Sequence, residues 1–243
     1  MRNERSPAVE VLPPFTAVVV AAGAGVRLAG TPLGGAVPKP FRDVAGRPLF
    51  SYSLEILARQ EGIRLAVLVV ARDRRDGFEA RWDRFLRLPC PVRIVVGGAR
   101  RVDSVRAGLA EVPADVPYVA VHDAARPGLG GDLVARLRSA AARDGAAVPV
   151  LPVADTLKEV RSGRVVRTVP REGIHSVGTP QVFAAGLLRE ALDAWPTDGV
   201  APTDCAQAVE RLGRPVAAVE GDPAAFKITL EEDLRRFSGR FLK

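Results

Sequence analysis

Thr16-Ala17-Val18-Val19-Val20-Ala21-Ala22-Gly23-Ala24-Gly25 decides how the rest of this chain is read. The apolar, β-branched half predicts a buried strand. The glycine half predicts a turn where the backbone must approach something closely. The stretch runs on through Arg27 and closes at Val37-Pro38-Lys39-Pro40-Phe41. Two cations placed after a glycine turn point to a polyphosphate.

Working outward, the same grammar repeats. Residues 29–48 are rich in glycine and proline and read as a long loop. Phe50, Leu54, Leu57 and Ala58 have helical spacing. Strands are expected over Arg64–Ala71, Val92–Val96, Tyr118–Val121 and Ala146–Leu151, with helices over Arg75–Leu88, Asp103–Val112 and Leu133–Arg143. Such alternation implies a doubly wound, mostly parallel α/β sheet, Rossmann-like, in which ligands bind outside the carboxyl ends of the strands. Gly23-Ala24-Gly25, Gly97-Gly98 and His122-Asp123 all follow strands. They are therefore expected on one rim.

The pattern breaks from Pro152 to about Val182. Thr156–Val160, then Ser162-Gly163, then Arg164–Val169 reads as a two-stranded hairpin. A two-stranded ribbon is marginal alone, so it is expected to protrude as an arm, at about 152–176, and to find support on a partner subunit. Helices are expected over 184–194 and 204–212 and a strand over Val216–Val219. Thr229-Leu230-Glu231-Glu232 has the form of a capping box, with Thr229 as N-cap and Glu232 reaching back. No internal repeat or low-complexity linker interrupts the chain. The expected organisation is an N-terminal extension, 1–15, and one domain, 16–240, that carries the arm.

Composition bounds the function. The chain has 243 residues, 47% of them hydrophobic, and a mean hydropathy of +0.08. No apolar run approaches the ~18 residues of a bilayer span. The first dozen residues lack the apolar core of a signal peptide, so the expected location is the cytoplasm. Cys90 and Cys205 have neither metal nor redox spacing. A net charge of +7 raises the question of nucleic acid, but aromatics are only 5% and the arginines are scattered, so no nucleic-acid partner is expected. The basic balance also suits an enzyme of anionic substrates. Of 35 Lys+Arg only four are lysine: Lys39, Lys158, Lys227 and Lys243. A chain that so prefers arginine marks, by its three internal lysines, places that call for a compact ammonium rather than a guanidinium fork.

Three phosphate-binding schemes compete for residues 23–39. A P-loop needs Gly-Lys followed by Ser or Thr, and the chain has no such tripeptide. A dinucleotide fingerprint needs a third glycine where Leu28 stands; Asp43 lies twenty residues on, but within the Pro/Gly loop. The third scheme, Gly-x-Gly-x-x-Leu with Pro-Lys downstream, is that of nucleotidyltransferases. A plain strand-to-helix turn stays open on this stretch alone.

With the remaining motifs added, residues 16–237 resemble the 2-C-methyl-D-erythritol 4-phosphate cytidylyltransferase family. The motifs fall in the family's order: A-A-G-A-G-V-R-L at 21–28, P-K at 38–39, G-G-A-R-R-V-D-S-V at 97–105 and H-D-A-A-R-P at 122–127. They continue with P-V-A-D-T-L-K at 152–158, T-P-Q at 179–181, T-D at 203–204 and E-G-D-P-A-A-F-K-I-T at 220–229. The resemblance implies a nucleotidyltransferase-type fold and the joining of CMP from CTP to 2-C-methyl-D-erythritol 4-phosphate, with release of pyrophosphate. Carried over, Ala21, Ala22, Gly23, Ala24, Gly25, Gly98, Asp103, Ser104 and Ala124 would surround the nucleotide. Arg27 and Lys39 would hold its triphosphate. Asp123 would bind Mg²⁺ or another divalent cation and contact substrate. Arg126, Thr156, Arg171, Thr179, Lys227 and Thr229 would form the polyol phosphate side, with Arg27, Lys39, Arg171 and Lys227 in the catalytic roles. A homodimer would exchange arms, so that Arg171 serves the partner's site. No membrane partner is implied.

The chain departs from the family pattern at Pro40, Ala99 and Cys205 and in the length of the loop between Arg27 and Lys39. Two other functions stay open here: transfer to another polyol phosphate such as ribitol 5-phosphate, and nucleotide binding without catalysis. His122 is read as a structural residue that holds the Asp123 turn. Asp155, Asp204 and Glu220 fit ligand and cap or loop roles equally, and His175 belongs to no constellation.

Overall fold

The computed structural model describes residues 12–23, 37–196 and 199–239. In chain order its strands and helices are β1 (Phe15–Val20), β2 (Asp43–Val44), β3 (Arg47–Pro48), α1 (Leu49–Ala58), β4 (Ile63–Val70), α2 (Phe78–Leu86) and β5 (Val92–Val96). There follow α3 (Arg101–Ala110), β6 (Tyr118–Asp123), α4 (Gly131–Asp144), β7 (Ala146–Pro152), β8 (Leu157–Arg161) and β9 (Arg164–Val169). The last are β10 (His175–Val177), β11 (Gln181–Ala184), α5 (Ala185–Asp193), α6 (Cys205–Arg211), β12 (Ala217–Glu220) and α7 (Glu231–Ser238).

β1 lies at the middle of the main sheet, whose order is β10-β7-β11-β6-β1-β4-β5, with β12 added alongside β7. It runs parallel to β4 on one side and to β6 on the other. β4 and β5, and β7 and β12, are also parallel. The period-two alternation of a strand covered on both faces is visible in β1. Ala17 and Val19 pack into one apolar layer with Phe50, Leu54, Leu133 and Leu137 of α1 and α4. Val18 packs into the other, with Val105, Leu109, Leu188 and Val209 of α3, α5 and α6. Gly108 is what lets α3 lie against β1: a Cβ there would meet Val18 Cγ1 at 2.4 Å.

The expected doubly wound, mostly parallel sheet is thus observed, with two antiparallel strands added, β10 at the edge beside β7 and β11 within the sheet. β11 enters between β7 and β6, antiparallel to both. Its four residues are too few to show a period. The helix expected over Arg75–Leu88 is confined to Phe78–Leu86, opened by Gly77 at φ 65°. The expected loop 29–48 holds a short β2–β3 hairpin within its described part. The arm is as expected: β8 and β9 pair only with each other, and Val160, Val165 and Val166 stand exposed on them.

The start of the fold is anchored by Arg138 of α4, which is buried and, among the described residues, has no carboxylate partner. Its guanidinium donates to the carbonyls of Glu61 (2.6 Å), Leu12 (3.1 Å) and Pro13 (2.6 Å) and stacks 4.6 Å from the Phe15 ring. β1 accordingly begins at Phe15, and residues 12–14 are tied to the sheet rather than free of it.

Candidate active site

Parallel strands place their carboxyl ends on one rim. There a cleft of about 480 Å³ opens beyond Val20, Val96 and Asp123, lined among others by Ala22, Gly23, Lys39, Gly98, Arg101, Ser104, Asp123 and Lys227. The described start of the first glycine turn, Ala22-Gly23, does therefore meet the turns at Gly98 and Asp123. Each is placed by backbone hydrogen bonds. Ala21 N–H donates to Val69 (2.8 Å), Gly97 N–H to Val70 (2.8 Å) and Ala124 N–H to Val20 (3.1 Å). Gly97 is obligatory: a Cβ would lie 2.4 Å from Ser104 Oγ and 2.8 Å from Ala22 Cβ.

Asp123 is the electrostatic centre. It is almost fully buried, and each carboxylate oxygen carries a cation: Arg101 Nε donates to Oδ1 at 3.0 Å and Lys227 Nζ to Oδ2 at 2.7 Å. Burial alone would raise the Asp123 carboxyl. Arg101 and Lys227 outweigh it and hold the group well below the usual carboxylate range. Asp123 is thus an anion in the folded protein and fixes both cations.

Arg101 was not among the residues read from the sequence. Behind it, its Nη1 lies 3.7 Å from Cys205 Sγ, and burial pushes that thiol up to about 11. Cys205 therefore faces Arg101 as a neutral thiol, and Asp123 alone balances the charge. One signal did exist. Arg100 and Arg101 stand at the N-terminus of α3, where the helix dipole disfavours cations. Each must then have a carboxylate. Asp103 takes Arg100, accepting from its N–H (3.1 Å), Nε (3.0 Å) and Nη2 (2.9 Å), and Asp123 takes Arg101.

Asp103 is engaged at the start of α3; its side chain closes on Arg100 and is not among the groups lining the cleft. Ala21 and Ala124 likewise turn their methyl groups into the apolar core. Ala22, Gly23, Gly98 and Ser104 do line the cleft. Ala24, Gly25 and Arg27 lie outside the described residues, as does most of the long loop before Lys39.

A second hollow, of about 310 Å³, is lined by Arg126, Val177, Gly178, Thr179, Asp222 and Lys227 among others. Lys227 lines both spaces. Arg126 donates through Nη1 to the Ala225 carbonyl at 3.1 Å, and its buried Nε has no partner among the described residues. Thr229 is engaged elsewhere, its hydroxyl and N–H both held by Asp233. The expected capping box is corrected by one residue: α7 starts after Leu230, so Asp233 and not Glu232 reaches back, and Thr229 donates rather than accepts. Asp204 resolves to a cap, accepting the Gln207 N–H of α6 at 2.9 Å. Thr156 and Arg171 are exposed on the arm and line neither space of their own chain; Arg171 donates to the Ala154 carbonyl.

The expectation for His122 holds, and its tautomer follows from its neighbours. Nε2 lies 3.2 Å from the Arg126 carbonyl, which can only accept, so Nε2 carries the proton. Nδ1, 3.0 Å from Thr179 Oγ1, then accepts from that hydroxyl, and the hydroxyl oxygen accepts Asp123 N–H at 3.1 Å. Thr179 is thereby occupied on both sides. Burial lowers the His122 pKa from 6.5 to about 4; Arg126 and Arg101 act in the same direction and Asp123 against it. Between those values the unfolded chain binds a proton that the folded protein refuses, so stability falls as the pH falls through that window. Wild-type unfolding free energy is expected to drop more steeply than that of His122→Gln on acidification. The difference in slope should approach about 1.4 kcal/mol per pH unit. Urea titrations across the window measure it, and equal slopes would mean that His122 is not held neutral.

Around the larger cleft, Lys39, Arg100, Arg101 and Lys227 face one lining carboxylate, Asp123. Such a surplus suits a ligand of several negative charges, and the sheet sets that ligand at its strand ends: the architecture is that of an α/β nucleotidyltransferase. The family model of IspD, 2-C-methyl-D-erythritol 4-phosphate cytidylyltransferase, matches residues 15–238, and the chain belongs to that family. It is 45% identical over 229 residues to the 2-C-methyl-D-erythritol 4-phosphate cytidylyltransferase of Nocardia farcinica, covering 90% of each chain. It is 42% identical over 225 residues to that of Frankia casuarinae, covering 91% of this chain and 79% of the other. Its fold is similar to the crystal structure of the Thermus thermophilus enzyme, with a TM-score of 0.77, 35% identity, and coverage of 95% of this chain and all of that one.

Proposed function

We propose that this protein transfers the cytidylyl group of CTP to 2-C-methyl-D-erythritol 4-phosphate, releasing pyrophosphate. The observation that carries the reading is Lys227. It lines both the larger cleft and the adjoining hollow, and so would stand between a nucleotide in the first and an acceptor phosphate in the second. A phosphate monoester has a second pKa near ~6, so at neutral pH the nucleophile needs no general base. The difficulty is the approach of one anion to another, and catalysis is positioning and charge neutralisation. Lys39, with Arg27, would neutralise the α-phosphate and the leaving pyrophosphate. Lys227 and Arg126 would hold the attacking phosphate. Arg101 would keep Asp123 ionised and in place.

Asp123 would also hold Mg²⁺, which supplies further charge neutralisation at the phosphates. Among the described residues no group of three or more His, Cys, Asp or Glu gathers to hold an ion alone. Arg101 and Lys227 each hold one Asp123 oxygen, so the carboxylate would offer a remaining lone pair to a hard cation that keeps waters and is carried chiefly by nucleotide phosphates.

The protein would act as a homodimer whose exchanged arms bring Thr156 and Arg171 to the partner's hollow. Support comes from the ribbon itself: β8 and β9 have no third strand, and their exposed valines are left uncovered. Among the described residues no helix is long and apolar enough to cross a membrane. With CTP as substrate, a cytoplasmic location is proposed. Pyrophosphate release should be measured for ATP, GTP, UTP and CTP, each with 2-C-methyl-D-erythritol 4-phosphate and with ribitol 5-phosphate. Release is expected for CTP with the first acceptor. Release with ribitol 5-phosphate alone would reassign the acceptor, and CTP binding without release on either would end the catalytic reading.

A further inference from the structure

The first turn of α7 joins the Lys39 segment to the Lys227 segment through polar contacts. That turn carries Glu231, Glu232 and Asp233, as a helix N-terminus favours. One oxygen of Asp233, Oδ2, accepts three hydrogen bonds: Thr229 N–H at 2.7 Å, the Thr229 hydroxyl at 2.8 Å and Leu230 N–H at 2.8 Å. Just upstream, buried Ile228 donates its N–H to the Ala125 carbonyl at 2.8 Å, and Lys227 reaches Asp123. Residues 227–230 are therefore pinned at one end to the Asp123 turn and at the other to Asp233.

The same turn grips the other side of the cleft. Arg42 closes the short turn Lys39–Phe41, with its N–H on the Lys39 carbonyl at 3.1 Å, and its guanidinium pairs with Glu231. The Lys39 ammonium acts on Asp233 through space. Burial alone would raise the Asp233 carboxyl, but the Leu230 and Thr229 donors and the Lys39 charge together hold it below the usual range. Asp233 thus holds the Thr229 loop from the same helical turn whose Glu231 pairs with Arg42 at the end of the Lys39 turn. A neutral side chain of the same shape would keep much of the hold on Thr229 and lose the charge that Lys39 favours.

We propose that Asp233 is a positioning residue that sets the register between the Lys39 ammonium and the Lys227–Thr229 segment, the two cationic halves of the cleft. The proposal rests on the cytidylyl transfer above, in which Lys39 serves the nucleotide and Lys227 the acceptor. It assigns Asp233 no contact with either substrate. Its loss is therefore expected in turnover rather than in nucleotide affinity.

The test uses full-length wild type, Asp233→Asn, Asp233→Ala, Lys39→Ala and the double variant Asp233→Asn/Lys39→Ala. Turnover is expressed per CTP-binding site, so that misfolded protein does not count. Asp233→Asn is expected to lower kcat about tenfold and Asp233→Ala about a hundredfold, the scale of an ångström-sized misplacement. KM for CTP should stay within about threefold. In the Lys39→Ala background the Asp233→Asn loss should shrink below about twofold, because the two act as one unit. Wild-type kcat per site in Asp233→Ala would overturn the proposal. So would a full tenfold loss that multiplies unchanged onto Lys39→Ala. Absence of pyrophosphate release by the wild type is a distinct result and overturns the reaction itself.

Discussion

Purified Lys39→Ala is expected to turn over CTP roughly 10²–10³-fold more slowly than wild type, the scale on which a transition-state donor is lost. Lys39 is buried and lines the cleft from the three-residue turn Lys39–Phe41. The turn has anchors of its own. Phe41 anchors the segment from beneath, with its ring 5.7 Å from that of Phe50 and 6.0 Å from that of Phe78. Phe41 N–H also closes onto the Pro38 carbonyl at 3.0 Å. The variant should therefore fold, and its thermal midpoint should stay near wild type while kcat collapses. Lys39→Arg is expected to recover little. A guanidinium is planar and wide, and a chain that elsewhere uses arginine so freely kept a lysine here. Steady-state pyrophosphate release settles the matter; near wild-type turnover by Lys39→Ala would remove this residue from the reaction.

The second large effect is recovery rather than loss. Arg171→Ala is expected to be nearly inactive although Arg171 lines neither the cleft nor the adjoining hollow of its own chain. Its arm is exposed, and Val160, Val165 and Val166 are more than half exposed among the described residues. If the arm crosses to a partner, each site takes Lys39 from one subunit and Arg171 from the other. Mixing Arg171→Ala with Lys39→Ala and allowing subunit exchange then gives hybrids with one intact site and one doubly defective site. Half the dimers at equal mixing are hybrids, so about a quarter of wild-type activity should return. Exchange is verified with differently tagged subunits recovered together. Full exchange without recovery would show that each chain builds its site alone.

Much of the architecture is local and was legible for that reason. Apolar β-branched runs gave β1, β4, β5 and β6 to within a residue or two, because a strand covered on both faces must be apolar throughout. α1 followed from its spacing. β11 was not legible: Gln181-Val182-Phe183-Ala184 has no periodic signature, and only the space between β6 and β7 makes it a strand. The cap of α7 was displaced by one residue for a related reason. Thr229 and Glu232 satisfy the pattern, but where the helix begins is decided by how Ile228 and Lys227 are held in the cleft. Asp233 then lies under the loop in place of Glu232.

The candidate site divides in the same way. By itself the sequence determined the rim on which the glycine turns would gather, the acidic turn at Asp123, and Lys39 and Lys227 as the cations to follow. Each of these is a property of a short segment and its residue types. Tertiary structure alone decided that Arg101 and Lys227, 22 and 104 residues away, would share the two oxygens of Asp123. A buried charge must find its counter-charge wherever the fold brings one, and no local pattern names that partner.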